Sequence, residues 1–194
     1  MIGLVLAGGK SVRFGRDKAT FTLPGMTKSN VQLAVMRLRP FCEQVVVCVN
    51  ETNDQLVAKQ LRGQSSTIIV HDQPPFAYHG PLSAVYTATK ILPSESQFLM
   101  TAVDYPFVSK DTISRLARHP NSVAATTDSY HYTLANFRTS NRVVTAWLRS
   151  GNWRLGKFIV NSCRCHPLYF DKKQEFINLN YYEGENNEEK GKHD

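Results

Sequence analysis

Short apolar runs alternate with amphipathic segments over the first 120 residues. The runs have the length of single strands and lie at Ile2–Leu6, Gln44–Val49, Thr67–Val70 and Gln97–Val103. Segments with helical spacing of apolar side chains follow these runs, beginning after Ser29, over Thr52–Leu61, at Pro81 and after Ser109. Strands that alternate with helices predict βαβ units and a parallel sheet.

The pattern changes after residue 120, where two strands come close together. Ser122–Thr127 and His131–Phe137 predict a hairpin-like pair. Helices are expected over Arg138–Ser150 and Arg154–Asn161, and Phe176–Asn180 is a short segment of apolar and polar residues. The expected architecture is α/β with a mostly parallel sheet.

Length and composition indicate one packed domain with a basic body. The chain has 194 residues, and 42% of them are hydrophobic, as an ordinary core requires. We expect a single domain over residues 1–182 and a disordered polar tail over residues 183–194. The tail carries five acids against two lysines, so the net charge of +7 becomes +10 for residues 1–182. Such a charge suits an anionic ligand.

Nucleic acid is the less favoured ligand, and no membrane partner is expected. The sequence has no tight Lys/Arg cluster, zinc-finger spacing or RNP-like motif. No run approaches 18 apolar residues, and the N-terminus lacks the features of a signal peptide. These observations predict a cytoplasmic protein with reduced thiols.

The cysteines and histidines predict no catalytic centre. Cys163 and Cys165, followed by His166, have the spacing of half a metal site, but no second half is visible and a structural role is favoured. The remaining cysteines, Cys42 and Cys48, do not form a C-x-x-C pair. The histidines at positions 71, 79 and 131 are isolated in the sequence.

A glycine-rich basic loop follows the first predicted strand. Gly8 and Gly9 allow a ligand to approach the backbone, since no Cβ blocks it. Four cations follow, at Lys10, Arg13, Arg16 and Lys18. Exposed N–H groups beside cations predict a site for a nucleoside triphosphate, with Arg13 and Lys18 on its phosphates. The alternatives are a plain strand-to-helix turn and solvated charges.

Two familiar phosphate motifs do not fit this loop. A P-loop needs four residues between its first glycine and Gly-Lys-Ser/Thr, whereas five residues separate Gly3 from Gly9. Gly8, Gly9 and Gly15 also have the wrong spacing for the dinucleotide fingerprint. The loop is therefore of a third kind.

Polar residues follow the other predicted strands. Asn50, Asp72 and Asp104 lie after the second, third and fourth strands, at the sheet edge where ligands bind. Asp104, fixed by Pro106, is a rigid carboxylate suited to Mg²⁺, which proteins hold through one or two carboxylates and substrate phosphates. The alternatives are that Asp104 caps the helix after Ser109 or pairs with a lysine, and that Asp72 is only a turn residue.

These residues resemble the signature of the molybdenum cofactor guanylyltransferases, a family of the nucleotidyltransferase superfamily. The first motif, L-A-G-G-x-S-x-R-F-G-x-D-K, spans Leu6–Lys18. Further matches follow in the family's order at Asp72, Gly80-Pro81-Leu82, Asp104-x-Pro106-Phe107, His131–Ala135 and Phe176–Asn180. The resemblance covers nearly the whole chain. It implies a three-layer, Rossmann-like α/β fold with a mostly parallel central sheet, helices on both faces and a late antiparallel strand.

The resemblance implies transfer of GMP from GTP to the phosphate of molybdopterin, with Mg²⁺ as cofactor and release of pyrophosphate. Molybdoenzymes or their chaperones are the partners it suggests. The matched positions are Leu6, Ala7, Gly8 and Asp72 for the nucleotide, Lys18 for its phosphates, Asp104 for GTP and Mg²⁺, and Asn178 and Asn180 beside the active site. The backbone at Gly9 completes the phosphate loop. A phosphate nucleophile is already ionised at pH 7, so this reaction needs no histidine base.

Three departures from the family pattern matter. Cys48 stands where relatives carry a nucleotide-contacting Asn, which leaves Asn50 as the candidate for that contact. Ser83-Ala84 replaces Ala-Gly after Gly-Pro-Leu, and Tyr181-Tyr182-Glu183 replaces Thr-Pro-Glu near the C-terminus. The competing functions are a cytidylyl- or sugar-phosphate nucleotidyltransferase on the same fold and a non-catalytic nucleotide-binding protein. The second glycine of Ala7-Gly8-Gly9 resembles the guanylyl branch.

Overall fold

The computed structural model describes residues 1–9, 15–92 and 95–179. In this part of the chain the strands are β1 Ile2–Leu6, β2 Gln44–Val49, β3 Thr67–His71, β4 Ser96–Ala102, β5 Ser122–Ala125, β6 Tyr130–Thr139 and β7 His166–Tyr169. The helices are α1 Asn30–Leu38, α2 Asp54–Gln60, α3 Pro81–Ile91, α4 Lys110–Arg118, α5 Asn141–Arg149 and α6 Leu155–Lys157. A π-helical turn, Phe158–Ser162, extends α6, and 3-10 turns lie at Arg39–Phe41 and Lys173–Phe176. None of these helices is both long and apolar enough to span a bilayer.

The strands form one mixed sheet in the order β3-β2-β1-β4-β6-β5-β7. Parallel pairing joins β3 to β2, β2 to β1, β1 to β4 and β5 to β7, whereas β6 is antiparallel to both β4 and β5. The chain order reverses between β1 and β4, so the connections after these two strands diverge. A crevice at the carboxyl ends of such strands is where open α/β sheets bind ligands.

Helices cover both faces of the sheet. Alternate residues of β1 point to opposite faces, with Val5 in one apolar cluster and Leu4 in the other. The first cluster includes the apolar stripes of α1 and α4, and the second those of α3 and α5. Strands covered on both sides need a nearly continuous apolar sequence, as β1 and β2 have. The predicted three-layer α/β fold is confirmed.

Serine caps set the starts of two helices as predicted. The Gln32 side chain accepts a hydrogen bond from the Ser29 N–H at 3.0 Å where α1 begins. At α4, the Ser109 hydroxyl accepts from the N–H of Thr112 at 3.1 Å. Each contact satisfies a donor that the first helical turn leaves unpaired.

The predictions after residue 120 needed correction. Arg138 and Thr139 belong to β6, because they pair with Gln97 and Ser96, and α5 starts only after the N-cap Ser140. Strand β7 was not predicted, since it is four residues long and contains Pro167, a residue that sheets accept at an edge. The polar tail, residues 183–194, lies outside the described residues.

Candidate functional site

A cavity of about 530 Å³ lies at the carboxyl edge of the sheet and extends from β3 to β6. The predicted ligand-binding residues in the described part of the chain line it, namely Leu6, Ala7, Gly8, Gly9, Lys18, Asn50, Asp72 and Asp104. Cys48, the departure from the family pattern, also lines it. Arg13 and Asn180 lie outside the described residues. The structure therefore brings together side chains that are up to 98 positions apart in the sequence.

The turn after β1 passes close to the end of β2. The Ala7 N–H donates to the Cys48 carbonyl at 2.8 Å, which extends the pairing of the two strands by one residue. A Cβ on Gly8 would meet the backbone C and O of Val49 at 3.3 Å, tighter than ordinary van der Waals contact. A Cβ on Gly9 would meet nothing within 4 Å. Gly8 thus allows the turn to pack closely against the end of β2, and Gly9 leaves open space in front of the backbone.

A fully buried asparagine clamps this turn, and the sequence analysis missed it. Asn53 Nδ2 donates to the Ala7 carbonyl and to Oδ2 of Asp17, both at 2.8 Å, and its Oδ1 accepts from the Asn50 N–H at 3.1 Å. Oδ1 of Asp17 in turn accepts from the Thr20 N–H at 2.9 Å. Asp17 is therefore held rigidly, and so is the backbone that carries the next residue, Lys18.

Asn50 shapes the cavity wall through its own side chain. Its Oδ1 accepts from the N–H groups of Thr52 and Asn53 at 2.9 and 3.0 Å, and its Nδ2 donates to the Gly8 carbonyl at 3.3 Å. These bonds form an Asx-type turn after β2 and tie it to the glycine turn. The Asn50 side chain therefore has a structural role, and the predicted contact with a nucleotide would come in addition to it.

Lys18 and Asp104 both line the cavity and interact electrostatically. Partial burial lowers the pKa of Lys18, and the charge of Asp104 opposes that change. Burial raises the pKa of Asp104, against the opposing effects of the Asn178 hydrogen bond and the Lys18 charge. Each group thus keeps its charge partly because the other is present.

The two oxygens of Asp104 have different surroundings. Oδ2 accepts a hydrogen bond from Nδ2 of Asn178 at 2.7 Å, whereas Oδ1 is buried and has no hydrogen-bond partner among the described residues. An orphaned carboxylate oxygen beside a cavity fits a hard divalent cation that takes further ligands from phosphates. The described residues contain no cluster of three metal-binding side chains, so such an ion would need those phosphates. Asp104 does not cap α4, since the Ser109 hydroxyl does.

The segment after β7 is anchored so that it delivers Asn178. The buried Glu175 accepts from the Ser109 N–H at 2.9 Å and from the Thr112 hydroxyl at 2.7 Å, at the N-terminus of α4. These hydrogen bonds keep the pKa of Glu175 low despite its burial. The Leu179 N–H donates to the Asp104 carbonyl at 3.0 Å. The segment therefore covers the end of β4.

The far wall of the cavity carries two carboxylates joined by a tyrosine. The Tyr78 hydroxyl donates to Oε1 of Glu51 at 2.9 Å, and its N–H donates to Oδ2 of Asp72 at 3.3 Å. Burial raises the pKa of Asp72 despite that N–H contact. Glu51 and Tyr78 were missed by the sequence analysis. Only the position of Glu51 directly after Asn50 signalled it.

The histidines and the C-x-C pair do not form a reaction centre. His131 is buried, with Nδ1 3.3 Å from the Tyr105 hydroxyl and its ring stacked on Phe176. His71 pairs with Asp54, and His79 stacks on Trp153 outside the cavity lining. Cys163 and Cys165 are buried free thiols whose pKa burial raises. Their structural role agrees with the prediction.

The sheet order and the glycine turn agree with the fold expected of a nucleotidyltransferase. Residues 3–190 match the family model of the MobA-like NTP transferase domain, and the chain belongs to that family.

A probable molybdenum cofactor guanylyltransferase from Geobacillus is 29% identical over 121 residues, which are 62% of this chain. The match spans 58% of the length of that relative. Among solved structures, molybdopterin-guanine dinucleotide biosynthesis protein A from Archaeoglobus fulgidus has a TM-score of 0.58 at 18% identity, covering 93% of this chain and 92% of that one. A Mycobacterium tuberculosis protein in complex with manganese has a TM-score of 0.56 at 18% identity, covering 88% and 87%. At such identities the two structures support the fold alone.

Proposed function

We propose that this protein transfers GMP from GTP to the phosphate of molybdopterin and releases pyrophosphate, with Mg²⁺ as cofactor. One observation carries the proposal. The carboxylate of Asp104, whose buried Oδ1 has no hydrogen-bond partner among the described residues, and the half-buried cation of Lys18 line one cavity together with the glycine turn. The membership of the family supports nucleotidyl transfer, and the Geobacillus relative supports the choice of guanylyl and molybdenum cofactor.

The length of the cavity suits a nucleoside triphosphate with an acceptor beyond it. The lining comes from five adjacent strands, β3, β2, β1, β4 and β6. Four intervals of about 4.8 Å make a site of about 19 Å across the sheet. In our proposal the nucleoside lies against Leu6, Ala7, Asn50 and Asp72, and the triphosphate crosses the glycine turn toward Asp104. The acceptor then approaches from the side of β6.

The reaction is an in-line substitution at phosphorus. An oxygen of the acceptor phosphate forms a bond to the α-phosphorus of GTP while the bond from that atom to the bridging α–β oxygen breaks. The bonding electrons leave with pyrophosphate, so no proton has to be removed from the nucleophile. Such a reaction depends on positioning and charge stabilisation.

The chain's own residues supply this positioning. Backbone N–H groups at Gly8 and Gly9 bind the triphosphate, and Lys18 neutralises charge that accumulates on the departing pyrophosphate. Arg13, which the sequence predicts to bind phosphate, is a further proposed ligand. The Asn53–Asp17 clamp keeps the turn and Lys18 in register.

Asp104 is the proposed Mg²⁺ ligand. Its Oδ1 offers the hard oxygen that this ion prefers, and Asn178 fixes the orientation of the carboxylate through Oδ2. When bound, Mg²⁺ supplies Lewis-acid polarisation of the phosphates. The proposal includes a cytoplasmic location, which the four free cysteines support.

The decisive experiment combines the protein, molybdopterin and Mg²⁺ with GTP or CTP and measures pyrophosphate. We expect release with GTP and formation of the guanine dinucleotide, identified by mass spectrometry. Preference for CTP would make the protein a cytidylyltransferase, and turnover only with a sugar phosphate would change the acceptor. Binding of GTP without release under any of these conditions would identify a non-catalytic nucleotide-binding protein.

A further inference from the structure

We infer that Glu51 selects guanine, by accepting hydrogen bonds from the N1–H and the 2-amino group of the base. The inference rests on the proposed function, because it assigns the base end of the same cavity. Two carboxylates, Glu51 and Asp72, lie on the cavity wall formed by the ends of β2 and β3. In the proposed reaction neither of them binds the phosphates or the metal.

The position of Glu51 is fixed through both its backbone and its side chain. The backbone that carries it is held by the Asx-type turn of Asn50, where the Thr52 hydroxyl donates to Oδ1 of Asn50 at 2.7 Å. Its side chain is held by the Tyr78 hydroxyl at 2.9 Å, and the Tyr78 backbone is held by Asp72. All of these residues except Thr52 line the cavity. An otherwise exposed glutamate is thus kept at the rim.

Tyr78 is itself placed for a ligand. Its side chain is 70% exposed although it lines the cavity, and its φ of 64° lies in the left-handed region that a tyrosine rarely adopts. Gly80, two residues later, has φ 74° and ψ −155°, a backbone conformation essentially limited to glycine. A tight loop of this kind presents the aromatic ring beside the space where a base would lie, and base–aromatic stacking is favourable.

The floor between these groups is apolar. Leu6, Cys48 and Ala84 line it, and burial raises the pKa of the Cys48 thiol, which keeps it neutral. The Cys48 thiol already donates to the Ala84 carbonyl at 3.7 Å. The floor therefore provides a surface for the flat face of a base but no group that reads the base edge. Recognition of the base edge must therefore come from Glu51, at the rim of the cavity.

The donor pattern of guanine matches a carboxylate. Ionised Glu accepts hydrogen bonds through both oxygens, with about four lone-pair sites, and donates none. Tyr78 uses one of these sites. Guanine presents two adjacent donors, N1–H and the 2-amino group, whereas cytosine and adenine place an acceptor nitrogen beside their amino group. The acceptor would face the carboxylate charge and be rejected.

Inosine triphosphate tests this match with one change, because inosine lacks only the 2-amino group of guanosine. We would measure the Kd of GTP and of ITP by calorimetry with Mg²⁺ and without acceptor. The wild-type protein should bind GTP about tenfold more tightly than ITP, as expected for one hydrogen bond to a charged group. Glu51→Gln should bring the ratio close to one, since an amide cannot accept both donors.

Two further variants separate the contributions. Glu95→Gln is the matched control, because Glu95 is an exposed carboxylate that pairs with Arg138 and lies outside the cavity lining. It should leave the ratio unchanged. Tyr78→Phe keeps the ring and removes the hydroxyl, so the ratio should fall between those of the wild type and Glu51→Gln.

Failure of this inference and failure of the proposed function give different results. A GTP:ITP ratio that Glu51→Gln leaves unchanged overturns the role of Glu51, while pyrophosphate release from GTP still supports the reaction. Tight binding of GTP that depends on Glu51, without pyrophosphate release, supports the inference and overturns the reaction. Absence of GTP binding to the wild-type protein overturns both.

Discussion

Asn178 donates a hydrogen bond from Nδ2 to Oδ2 of Asp104 at 2.7 Å, although 74 positions separate them in the sequence. The next residue makes a second hydrogen bond to Asp104, from the Leu179 N–H to the Asp104 carbonyl. Glu175 secures the segment to the start of α4. The orientation of the central carboxylate is therefore set by the last described residues of the chain.

Replacement of Asn178 by Ala should impair the site without unfolding the protein. The bond to Asn178 favours the charged form of Asp104, so its loss should raise the pKa of Asp104 further. We expect turnover with GTP to fall by about tenfold or more, as for one bond to a charged group. The acidic limb of the pH profile for pyrophosphate release should move to higher pH. Asn152→Ala, in the loop after α5, serves as the control, and an unmoved acidic limb would contradict the role of Asn178.

Replacement of Asp104 by Asn should have opposite effects on activity and stability. Turnover should fall by at least about 100-fold, the typical loss for a key electrostatic group. Stability without metal should rise at neutral pH. Because burial raises the pKa of Asp104 in the folded state, the unfolded chain ionises first as pH increases.

The effect of Asp104 on stability depends on pH. The stability penalty of Asp104 is absent below the unfolded pKa, near 3.8, grows as pH rises toward the folded pKa and then stays constant. Melting curves in EDTA should therefore show the variant above the wild type at pH 7, with the difference shrinking toward pH 4. Mg²⁺ with GTP should raise the Tm of the wild type more than that of the variant. Equal effects of Mg²⁺ on both proteins would contradict the metal assignment.

Lys18 should contribute to triphosphate binding and little to folding. Lys18→Ala should raise the KM for GTP by about ten- to a hundredfold, because one charge-assisted contact is lost. The exposed Lys28→Ala is the matched control. Partial burial lowers the pKa of Lys18 below its ordinary value of 10.5. As the pH is raised, Lys18 should therefore lose its proton, and the protein its affinity for GTP, before pH 10.5 is reached. A sharp drop in Tm with unchanged KM would instead assign Lys18 to the core.

The strand ends explain why most of the site was predictable. Parallel strands bring Gly8, Asp72 and Asp104 to one edge of the sheet, independently of the neighbouring side chains. The apolar runs that predict the strands were therefore sufficient to group these residues. The five residues between Gly3 and Gly9 also distinguished the loop from a P-loop. The helix starts were equally local, because Ser29 and Ser109 act on the first turn that follows them.

Contacts between loops were not predictable from the same patterns. Glu51 and Tyr78 meet only because the loops after β2 and β3 lie side by side, and their 27-residue separation has no periodic signal. Strand β7 depends on pairing with β5 and not on its own sequence, which contains Pro167. Asn50 was predicted as a nucleotide contact, and its hydrogen bonds add a structural role that the sequence did not indicate.

Asn53 offers the strictest test of how the glycine turn is supported. It is fully buried, and Asn53→Ala would leave the Ala7 carbonyl and one oxygen of Asp17 without their donor. Unsatisfied buried groups cost about 1–3 kcal/mol each, so we expect the free energy of unfolding in urea to fall by about 2–4 kcal/mol. Gln55→Ala, at an exposed position of the adjacent helix α2, should change it by less than about 0.5 kcal/mol. Below the melting range, Asn53→Ala should also raise the KM for GTP, because Asp17 no longer fixes the backbone of Lys18. A loss of stability with wild-type KM would limit the clamp to folding.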